Sequence, residues 1–425
     1  MEPTEIAELS TAARRAFFDR DGGIGSAREA AVEILGRVRE QGDVALRELA
    51  REFDDCEVGN IEITDDAERA WAELDPTLRD AIETATSNVR AFHERQRPED
   101  WTETFEGREL GRRFRPIERA GVYVPGGTAA YPSSAIMGVT PAVVAGVEHI
   151  AVATPPATEL DPATLGAIHH SGADAVYQMG GAQAVGALAY GTESVDRVQK
   201  IVGPGNAYVA AAKAEVRGAV EIDFLAGPSE ILCLCDGTAD PALVAADLVA
   251  QAEHDPNASV VAVTADGELA AAICEAVTAQ LADRERTATI REALANDASG
   301  VLLARSMAEA VLFADEYAAE HLSIVAADER ALADRIPNAG SVFLGADAPV
   351  AAGDYAVGPN HVLPTTGGAR THSGLSVDSF LRSSTIQRLD REALGEIREA
   401  VTTLARAEGL EAHAHSVDLR FEAGE

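Results

Sequence analysis

The stretch "QAEHDP", residues 251–256, contains two side chains that could bind a metal ion. Gln251 and His254 are three residues apart, so in a helix they lie on one face, about 60° apart. An amide oxygen and an imidazole nitrogen suit a borderline cation such as Zn²⁺. The alternative is a polar helix end that faces water, and these six residues alone favour that alternative. A metal site therefore requires further ligands elsewhere in the chain.

An acid and a base stand side by side later in the chain. Glu320 and His321 join a predicted helix, residues 307–319, to a predicted strand, residues 322–326. A carboxylate and an imidazole in this arrangement can divide the work of proton transfer, because their pKa values respond to their surroundings. The alternative is an exposed acid–base pair at a helix end that takes no part in chemistry.

The Gly-rich stretch "AGDYAVGPNHVLPTTGG", residues 352–368, adds Asp354 and His361 to the possible cation ligands. Its alternative role is a structured loop in which the aspartate makes turn hydrogen bonds. A glutamine, two histidines and one aspartate would leave a Zn²⁺ site net positive, which suits polarising an alcohol or carbonyl oxygen. The long separation of these residues along the chain does not by itself establish such a site.

The helix that carries Gln251 has clear boundaries in the sequence. Asp240 is a good N-cap, Pro241 suits the first helical position, and Pro256 prevents the helix from continuing. Gln251 and His254 are therefore predicted in its last turn, at an end that can face a site.

Short β-rich runs that end in Gly or Pro alternate with Ala-rich helical stretches from residue 120 onward. This alternation predicts βαβ units and mostly parallel sheets, in two successive α/β series near residues 121–228 and 229–370. Residues 25–120 are predicted to be helix-rich and to pack on one of the two series. Glycine-rich turns follow the strands at their carboxyl ends, where open α/β sheets bind ligands. No G-x-G-x-x-G opens a helix, so the usual dinucleotide fingerprint is missing.

Acidic residues strongly outnumber basic ones: Lys+Arg 35 against Asp+Glu 70 gives a net charge of −35. A field of this sign repels phosphates and anionic lipid, so we expect no nucleic-acid partner and no membrane partner. The acids are spread along the chain, which favours a halophilic protein that works in concentrated salt over a site for cationic ligands. Neither a signal peptide nor a spanning segment is recognised, so a cytoplasmic location is expected.

The cysteines do not indicate a disulfide framework or a cysteine-rich metal site. Cys233 and Cys235 have C-x-C spacing within the apolar run "EILCLC", and no partner pair follows them. Both are predicted to be buried structural thiols.

Nine motifs, in order along the chain from about residue 25 to residue 420, resemble those of histidinol dehydrogenase. They are "GVYVPGGTAAYPSS" (121–134), "GGAQAVGALAYGTESV" (180–195), "KIVGPGNAYV" (200–209), "DFLAGPSE" (223–230), "DLVAQAEHDP" (247–256), "EHL" (320–322), "NAGSVFLG" (338–345), "AGDYAVGPNHVLPT" (352–365) and "EGLEAH" (408–413). The resemblance implies oxidation of L-histidinol through L-histidinaldehyde to L-histidine, with two NAD⁺ reduced and one Zn²⁺ in each subunit of a homodimer.

The resemblance also implies two incomplete Rossmann-like domains and small terminal segments that mediate dimerisation. Residues 1–24 are then an N-terminal segment, and residues 25–120 with 229–370 are a first α/β domain on the metal and substrate side. Residues 121–228 are a second α/β domain on the NAD side, and residues 371–425 are a tail that reaches the partner subunit.

Site residues follow from the resemblance motif by motif. The implied zinc ligands are Gln251, His254, Asp354 and, from the other chain, His413, which is chosen over His415 by its spacing from Glu408. Implied substrate contacts are Ser229, Gln251, His254, His321, Asp354, Glu408 and His413. Implied NAD contacts are Tyr123, Gln183 and Asn206, and the implied proton-transfer pair is Glu320 and His321. His361 is not a ligand in the family, so we predict a structural role for it.

Two alternatives retain the same motifs but differ in function. A zinc hydrolase would use Glu320 on water and bind no dinucleotide, and a non-catalytic relative would keep only the fold. Tyr123, Gln183 and Asn206 argue against the first alternative. The intact Glu320–His321 pair and the four ligand positions argue against the second.

Overall fold

The protein is a mixed α/β structure with mostly parallel sheets, as the alternating pattern predicts. A computed structural model describes residues 2–20, 22–126, 130–281 and 284–422. These residues form two compact units, Met1–Gln96 with Ile117–Phe380, and Arg97–Pro116 with Leu381–Glu425. In the described part of the chain, no helix is both long enough and apolar enough to cross a bilayer.

The strands are β1 Thr4–Glu5, β2 Trp101–Phe105, β3 Arg108–Pro116, β4 Arg119–Tyr123, β5 His149–Thr154, β6 Ala175–Gln178, β7 Lys200–Val202, β8 Glu221–Ile222, β9 Glu230–Cys235, β10 Ser259–Thr264, β11 Gly300–Leu303, β12 His321–Val325, β13 Ser341–Leu344 and β14 Leu381–Arg388. The α-helices are α1 Thr11–Phe18, α2 Ile24–Gln41, α3 Asp43–Phe53, α4 Thr64–Glu73, α5 Pro76–Glu94, α6 Pro132–Ala145, α7 Pro162–Ser171, α8 Gly181–Tyr190, α9 Ala207–Val216, α10 Pro241–Ala252, α11 Gly267–Gln280, α12 Thr287–Leu294, α13 Met307–Tyr317, α14 Glu329–Ala333, α15 Val350–Tyr355, α16 Arg391–Ala407 and α17 Glu411–Glu422. Short 3₁₀ helices cover Ile6–Glu8, Gly368–Arg370 and Val377–Phe380.

The first sheet has six parallel strands in the order β1-β11-β10-β9-β12-β13. Every residue of β9 and β10 is buried, because helices cover both faces of a parallel sheet. This burial explains the continuous apolar run "EILCLC", and Cys233 and Cys235 within it are buried free thiols, as predicted.

The second sheet has five parallel strands in the order β6-β5-β4-β7-β8. The early helices pack on the helices of this sheet: α2 on α8 and α9, α4 on α7, and α5 on α6. The sequence predicted that these helices pack on one of the two α/β series, and the resemblance assigned residues 25–120 to a domain with residues 229–370; the contacts above are with the second sheet. An amphipathic pattern identifies the buried face of a helix but not the sheet that the face covers.

The second unit contains an antiparallel sheet in the order β14-β3-β2, together with α16 and α17. Its register pairs Arg382 with Arg115, residues far apart in the chain. Residues 97–116 therefore belong with the C-terminal segment and not with the helices that precede them. Periodicity within a strand carries no information about so distant a partner, which is why the sequence missed this pairing.

Candidate active site

Glu320 and His321 lie at the amino end of β12, where they are 6% and 3% exposed. The exposed acid–base pair that was the alternative interpretation is therefore wrong. Two titratable side chains buried next to each other require specific partners, because burial without partners is costly for a charge.

Backbone groups of Glu230, the first residue of the neighbouring strand β9, hold both side chains. The Glu230 N–H donates to Oε2 of Glu320 at 2.7 Å, and the Glu230 carbonyl lies 3.0 Å from Nδ1 of His321. A carbonyl oxygen can only accept, so Nδ1 carries the proton in this contact. In the neutral imidazole, Nε2 is then the atom that can accept a proton.

Nε2 of His321 is buried and has no hydrogen-bond partner among the described residues. It points toward Asp354, whose Oδ1 is 3.5 Å away. Burial by itself lowers the pKa of His321, but the carboxylates of Glu320 and Asp354 outweigh it and raise that pKa well above its usual range. Burial likewise raises the pKa of Asp354, but the His321 imidazole outweighs it and the net pKa is lowered.

Asp354 lies in α15, and His361 fixes the loop that follows. Nδ1 of His361 donates to the carbonyl of Asp354 at 2.8 Å. His321, Asp354 and His361 line one cavity of about 450 Å³. The contact of His361 is with backbone, which fits the structural role predicted for it.

The predicted helix for Gln251 is confirmed. The N-cap Asp240 accepts a hydrogen bond from Ala242 at 2.8 Å, and α10 ends at Ala252. Gln251 is therefore in the last turn, while His254 lies in the turn just beyond it. Gln251 is buried. His254 is close enough to Asp354 to lower its pKa.

These donors fit part of a Zn²⁺ site. Gln251, His254 and Asp354 supply one amide oxygen, one imidazole and one carboxylate, which are N/O ligands that Zn²⁺ accepts. Within the described residues, no three His, Cys, Asp or Glu side chains group around a metal position.

The other implied substrate residues are distributed over both units. Ser229 immediately precedes β9, beside Glu230. Glu408 is the C-cap of α16, and His413 is in α17, within the second unit. His413 and His415 are both exposed, so burial does not distinguish between them.

A buried ion pair with Arg20 fixes the side chain of Glu230. Arg20 contacts both carboxylate oxygens of Glu230, at 2.7 and 3.2 Å, and its guanidinium lies 3.8 Å from the centre of the Tyr317 ring. The N–H of Thr366 donates to the same carboxylate at 2.7 Å. These contacts immobilise the residue whose backbone orients Glu320 and His321.

Tyr123, Gln183 and Asn206 line one pocket of about 690 Å³, on the second sheet. Tyr123 ends β4 and its hydroxyl accepts from the N–H of Gly181, at the start of α8, at 3.1 Å. Oδ1 of Asn206 caps α9 by accepting from Tyr208 and Val209, so its NH₂ group remains for a ligand. Helix N-termini favour phosphate groups, and α8 and α9 both begin at this pocket.

The turn "GPGN" approaches Tyr123 closely because Gly203 has no side chain. A Cβ at Gly203 would lie 2.2 Å from the carbonyl oxygen of Tyr123, and the residue has a φ of +111°. Only glycine tolerates both conditions. A buried ion pair of Lys213 with Asp223 holds this turn: Lys213 donates to the Gly203 carbonyl at 2.8 Å, and Asp223 accepts from the Gly203 N–H at 2.9 Å.

Replacing Lys213 by methionine is expected to lower the free energy of unfolding by about 3–5 kcal/mol. The reason is that Asp223 would remain as a buried charge without its partner. Urea denaturation followed by circular dichroism measures the change, and Lys200→Met is the matched control, since Lys200 is the other lysine of the chain and makes no ion pair among the described residues. Equal stability losses in the two variants would contradict this role.

The pocket lies at the carboxyl ends of its strands, whereas the acid–base pair lies at the amino end of its strand. Tyr123 and the "GPGN" turn are at the carboxyl edge of the second sheet, as expected for an open α/β sheet. Glu230 and His321 are at the amino edge of the first sheet, so the expectation of carboxyl ends fails there. Residues 223–229 join the two edges and span at most about 25 Å. One short segment therefore links the sheet edge that carries the pocket to the sheet edge that carries the acid–base pair.

Two residues with evident roles were missed from the sequence, Arg20 and Glu230, and so was the pocket residue Asp54. Glu230 closes the motif "AGPSE", which is a signal that was available. Arg20 and the pocket residue Asp54 have no sequence signal of their own, because their positions depend on contacts between distant segments.

Comparison with known proteins gives consistent results along the whole chain. A family model described as histidinol dehydrogenase matches residues 20–421. The chain is 68% identical over 422 residues to the histidinol dehydrogenase of Natronomonas pharaonis, covering 99% of this chain and 100% of that protein. It is 67% identical over 422 residues to that of Haloarcula marismortui, with the same coverage. The crystal structure of histidinol dehydrogenase from Elizabethkingia anophelis matches with a TM-score of 0.93 at 35% identity, covering 100% of this chain and 98% of that chain.

Proposed function

The chain belongs to the histidinol dehydrogenase family, an oxidoreductase family of histidine biosynthesis, and from this we propose its mechanism, cofactors and assembly. It oxidises L-histidinol through L-histidinaldehyde to L-histidine, in the cytoplasm, as a homodimer with shared active sites. The observation that carries the mechanism is the buried Glu320–His321 pair, in which Nε2 of His321 faces the Asp354 carboxylate at 3.5 Å and makes no hydrogen bond among the described residues.

His321 acts as the general base in this proposal. Its Nδ1–H is held by the Glu230 carbonyl, so Nε2 faces the cavity and takes the proton of the substrate hydroxyl. The base must be neutral to act, although two carboxylates now raise its pKa. A cation bound to Asp354 would neutralise the charge of that carboxylate. The pKa of His321 would then fall, which favours the neutral imidazole.

Glu320 prepares the water that the aldehyde stage consumes. Its Oε2 accepts the Glu230 N–H, which fixes the carboxylate in orientation. The carboxylate then takes a proton from water as the water adds to the aldehyde carbonyl. His321 removes the proton of the resulting hydrate hydroxyl in the second oxidation, and the two residues thereby serve both stages.

Gln251, His254 and Asp354 hold Zn²⁺ together with His413 of the partner subunit. When bound, the ion supplies a positive charge that anchors and orients substrate nitrogen and oxygen atoms. Support comes from the burial of Gln251 in the last turn of α10 and from the proximity of His254 to Asp354. Ser229, Glu408 and His413 complete the substrate contacts.

Tyr123, Gln183 and Asn206 hold NAD, which supplies the hydride acceptor for both oxidations. The pocket of about 690 Å³ and the two helix N-termini at its edge support this assignment. The burial of His321 and Glu320 keeps bulk water from the reactive aldehyde between the two stages.

The acidic composition fits the salt-loving organisms of the two relatives named above. Such a charge of −35 is screened in molar-range salt, and we propose that the protein folds and works under those conditions.

The test of the proposed function is a stoichiometric assay in molar-range salt with zinc present. Limiting L-histidinol and excess NAD⁺ are mixed with the protein, and NADH and histidine are quantified. The proposal expects two NADH and one histidine for each histidinol. No NADH would overturn the dehydrogenase assignment, and hydrolysis of an amide or ester without NAD⁺ would favour the zinc-hydrolase alternative.

A further inference from the structure

The pocket that contains Tyr123, Gln183 and Asn206 also contains a carboxylate to which no described residue donates a hydrogen bond. Asp54 lines this pocket, and its Oδ2 atom is buried without a hydrogen-bond partner among the described residues. Burial raises the pKa of Asp54 to about 6, so the group is still mostly ionised at neutral pH. A buried acceptor without a donor is costly, and no described residue supplies a donor to Oδ2 of Asp54.

The position of Asp54 in its helix adds to this cost. Asp54 is the C-cap of α3, and its backbone N–H bonds to the carbonyl of Ala50. The carboxyl end of a helix carries partial negative charge, so an acid there is unfavourable. A residue that is unfavourable for its local structure and has no compensating contact is typical of a functional position.

The described residues that line the pocket include no lysine or arginine that could neutralise a phosphate group beyond the pyrophosphate, such as the 2′-phosphate of NADP. They include two further acids, Glu159 and Asp161. Asp161 is engaged at 2.6 Å by both the N–H and the hydroxyl of Thr164, so it is not free for a ligand. The helix N-termini can receive a pyrophosphate, whereas Asp54 requires an uncharged donor such as a hydroxyl group.

Two exposed aromatic side chains stand beside this carboxylate. Phe53 and Tyr208 are 54% and 48% exposed and line the same pocket. Their faces can stack on a nucleobase. Phe53, Asp54 and Tyr208 do not line the cavity that contains His321, which the reactive end of a dinucleotide has to reach. The opposite, adenosine end is therefore the part that fits these three residues.

We propose that Asp54 accepts a hydrogen bond from the ribose hydroxyls of the adenosine half of the dinucleotide, and that it selects NAD over NADP by rejecting a 2′-phosphate. This inference rests on the proposed dinucleotide function. It adds a specificity residue that none of the sequence motifs identifies. The hydroxyl donor satisfies Oδ2, whereas a 2′-phosphate would bring a second negative charge to a site with no cation.

The test measures binding and not turnover. ADP-ribose and 2′-phospho-ADP-ribose are titrated calorimetrically into wild-type protein, Asp54→Ala and Asp54→Asn in molar-range salt. The Ala variant is expected to weaken ADP-ribose binding by about 10- to 100-fold. Binding of 2′-phospho-ADP-ribose is expected to weaken less or to improve, so the preference for the unphosphorylated ligand shrinks in both variants.

Asp55→Asn is the matched control. It removes the same charge from the adjacent, exposed residue, which does not line the pocket, and its φ of +49° is one that asparagine accepts. This variant should leave both affinities unchanged. Asp54→Asn should also raise the thermal midpoint of the ligand-free protein, because it removes an unpartnered charge from the end of α3.

Three results would overturn the inference. They are unchanged ADP-ribose affinity in Asp54→Ala, equal weakening of both ligands in that variant, and a lowered thermal midpoint in ligand-free Asp54→Asn. The last would show that Asp54 supports the fold. Wild-type protein that binds neither ADP-ribose nor NAD⁺ would overturn the dinucleotide function as well, which separates the two failures.

Discussion

Replacing His321 by glutamine is expected to lower kcat for histidinol oxidation by about 10²- to 10⁴-fold. Glutamine can still donate to the Glu230 carbonyl, but it cannot accept a proton at the position of Nε2. The KM for histidinol should change little, because the proposed metal ligands remain. Steady-state kinetics in molar-range salt measure both constants.

His372→Gln is the control for this variant, since His372 is exposed and contacts only Thr371 through its side chain. It should retain wild-type rates. A His321→Gln enzyme with a kcat near that of the control would contradict the role of His321 as base. Glu320→Gln provides a second comparison: it should slow the aldehyde stage more than the alcohol stage, so that fewer than two NADH form per histidinol in a fixed time.

Mixing two inactive variants is expected to restore activity if the tail completes the partner's site. His413→Ala lacks the proposed partner ligand, and Glu320→Ala lacks the acid of the proton-transfer pair. In a mixed dimer, one site carries both defects and the other carries neither. Random exchange of equal amounts should therefore restore about a quarter of wild-type activity, because half of the dimers are mixed and each has one intact site.

The control for this experiment is His415→Ala in place of His413→Ala. If His413 is the ligand, His415→Ala is active by itself and needs no complementation. Subunit exchange has to be verified, for example by mass spectrometry of differently tagged chains. Zero recovery after verified exchange would contradict a site built from two subunits.

Local signals in the sequence predicted much of the scaffold. Asp240, Pro241 and Pro256 marked the helix that carries Gln251, and the alternation of strands and helices predicted two parallel sheets. These features are local because capping and periodicity act over a few residues. The ordered motifs supplied the candidate residues. The structure shows that Glu320 and His321 are buried and that Tyr123, Gln183 and Asn206 line one pocket.

Contacts between distant segments could not be predicted. The backbone of Glu230 holds Glu320 and His321, and a backbone group has no signature in the sequence. The pairing of β3 with β14 joins strands with no shared periodicity. Asp54 resembled any acid that follows a helix, and only its burial without a partner distinguishes it.

Anomalous scattering at the zinc edge, from crystals of the dimer grown with zinc, tests most directly whether two chains build each site. We expect one peak per subunit, enclosed by Gln251, His254, Asp354 and His413 of the partner subunit. A peak with four ligands from a single chain, a peak bound by His415, or no peak beside Asp354 would contradict this account.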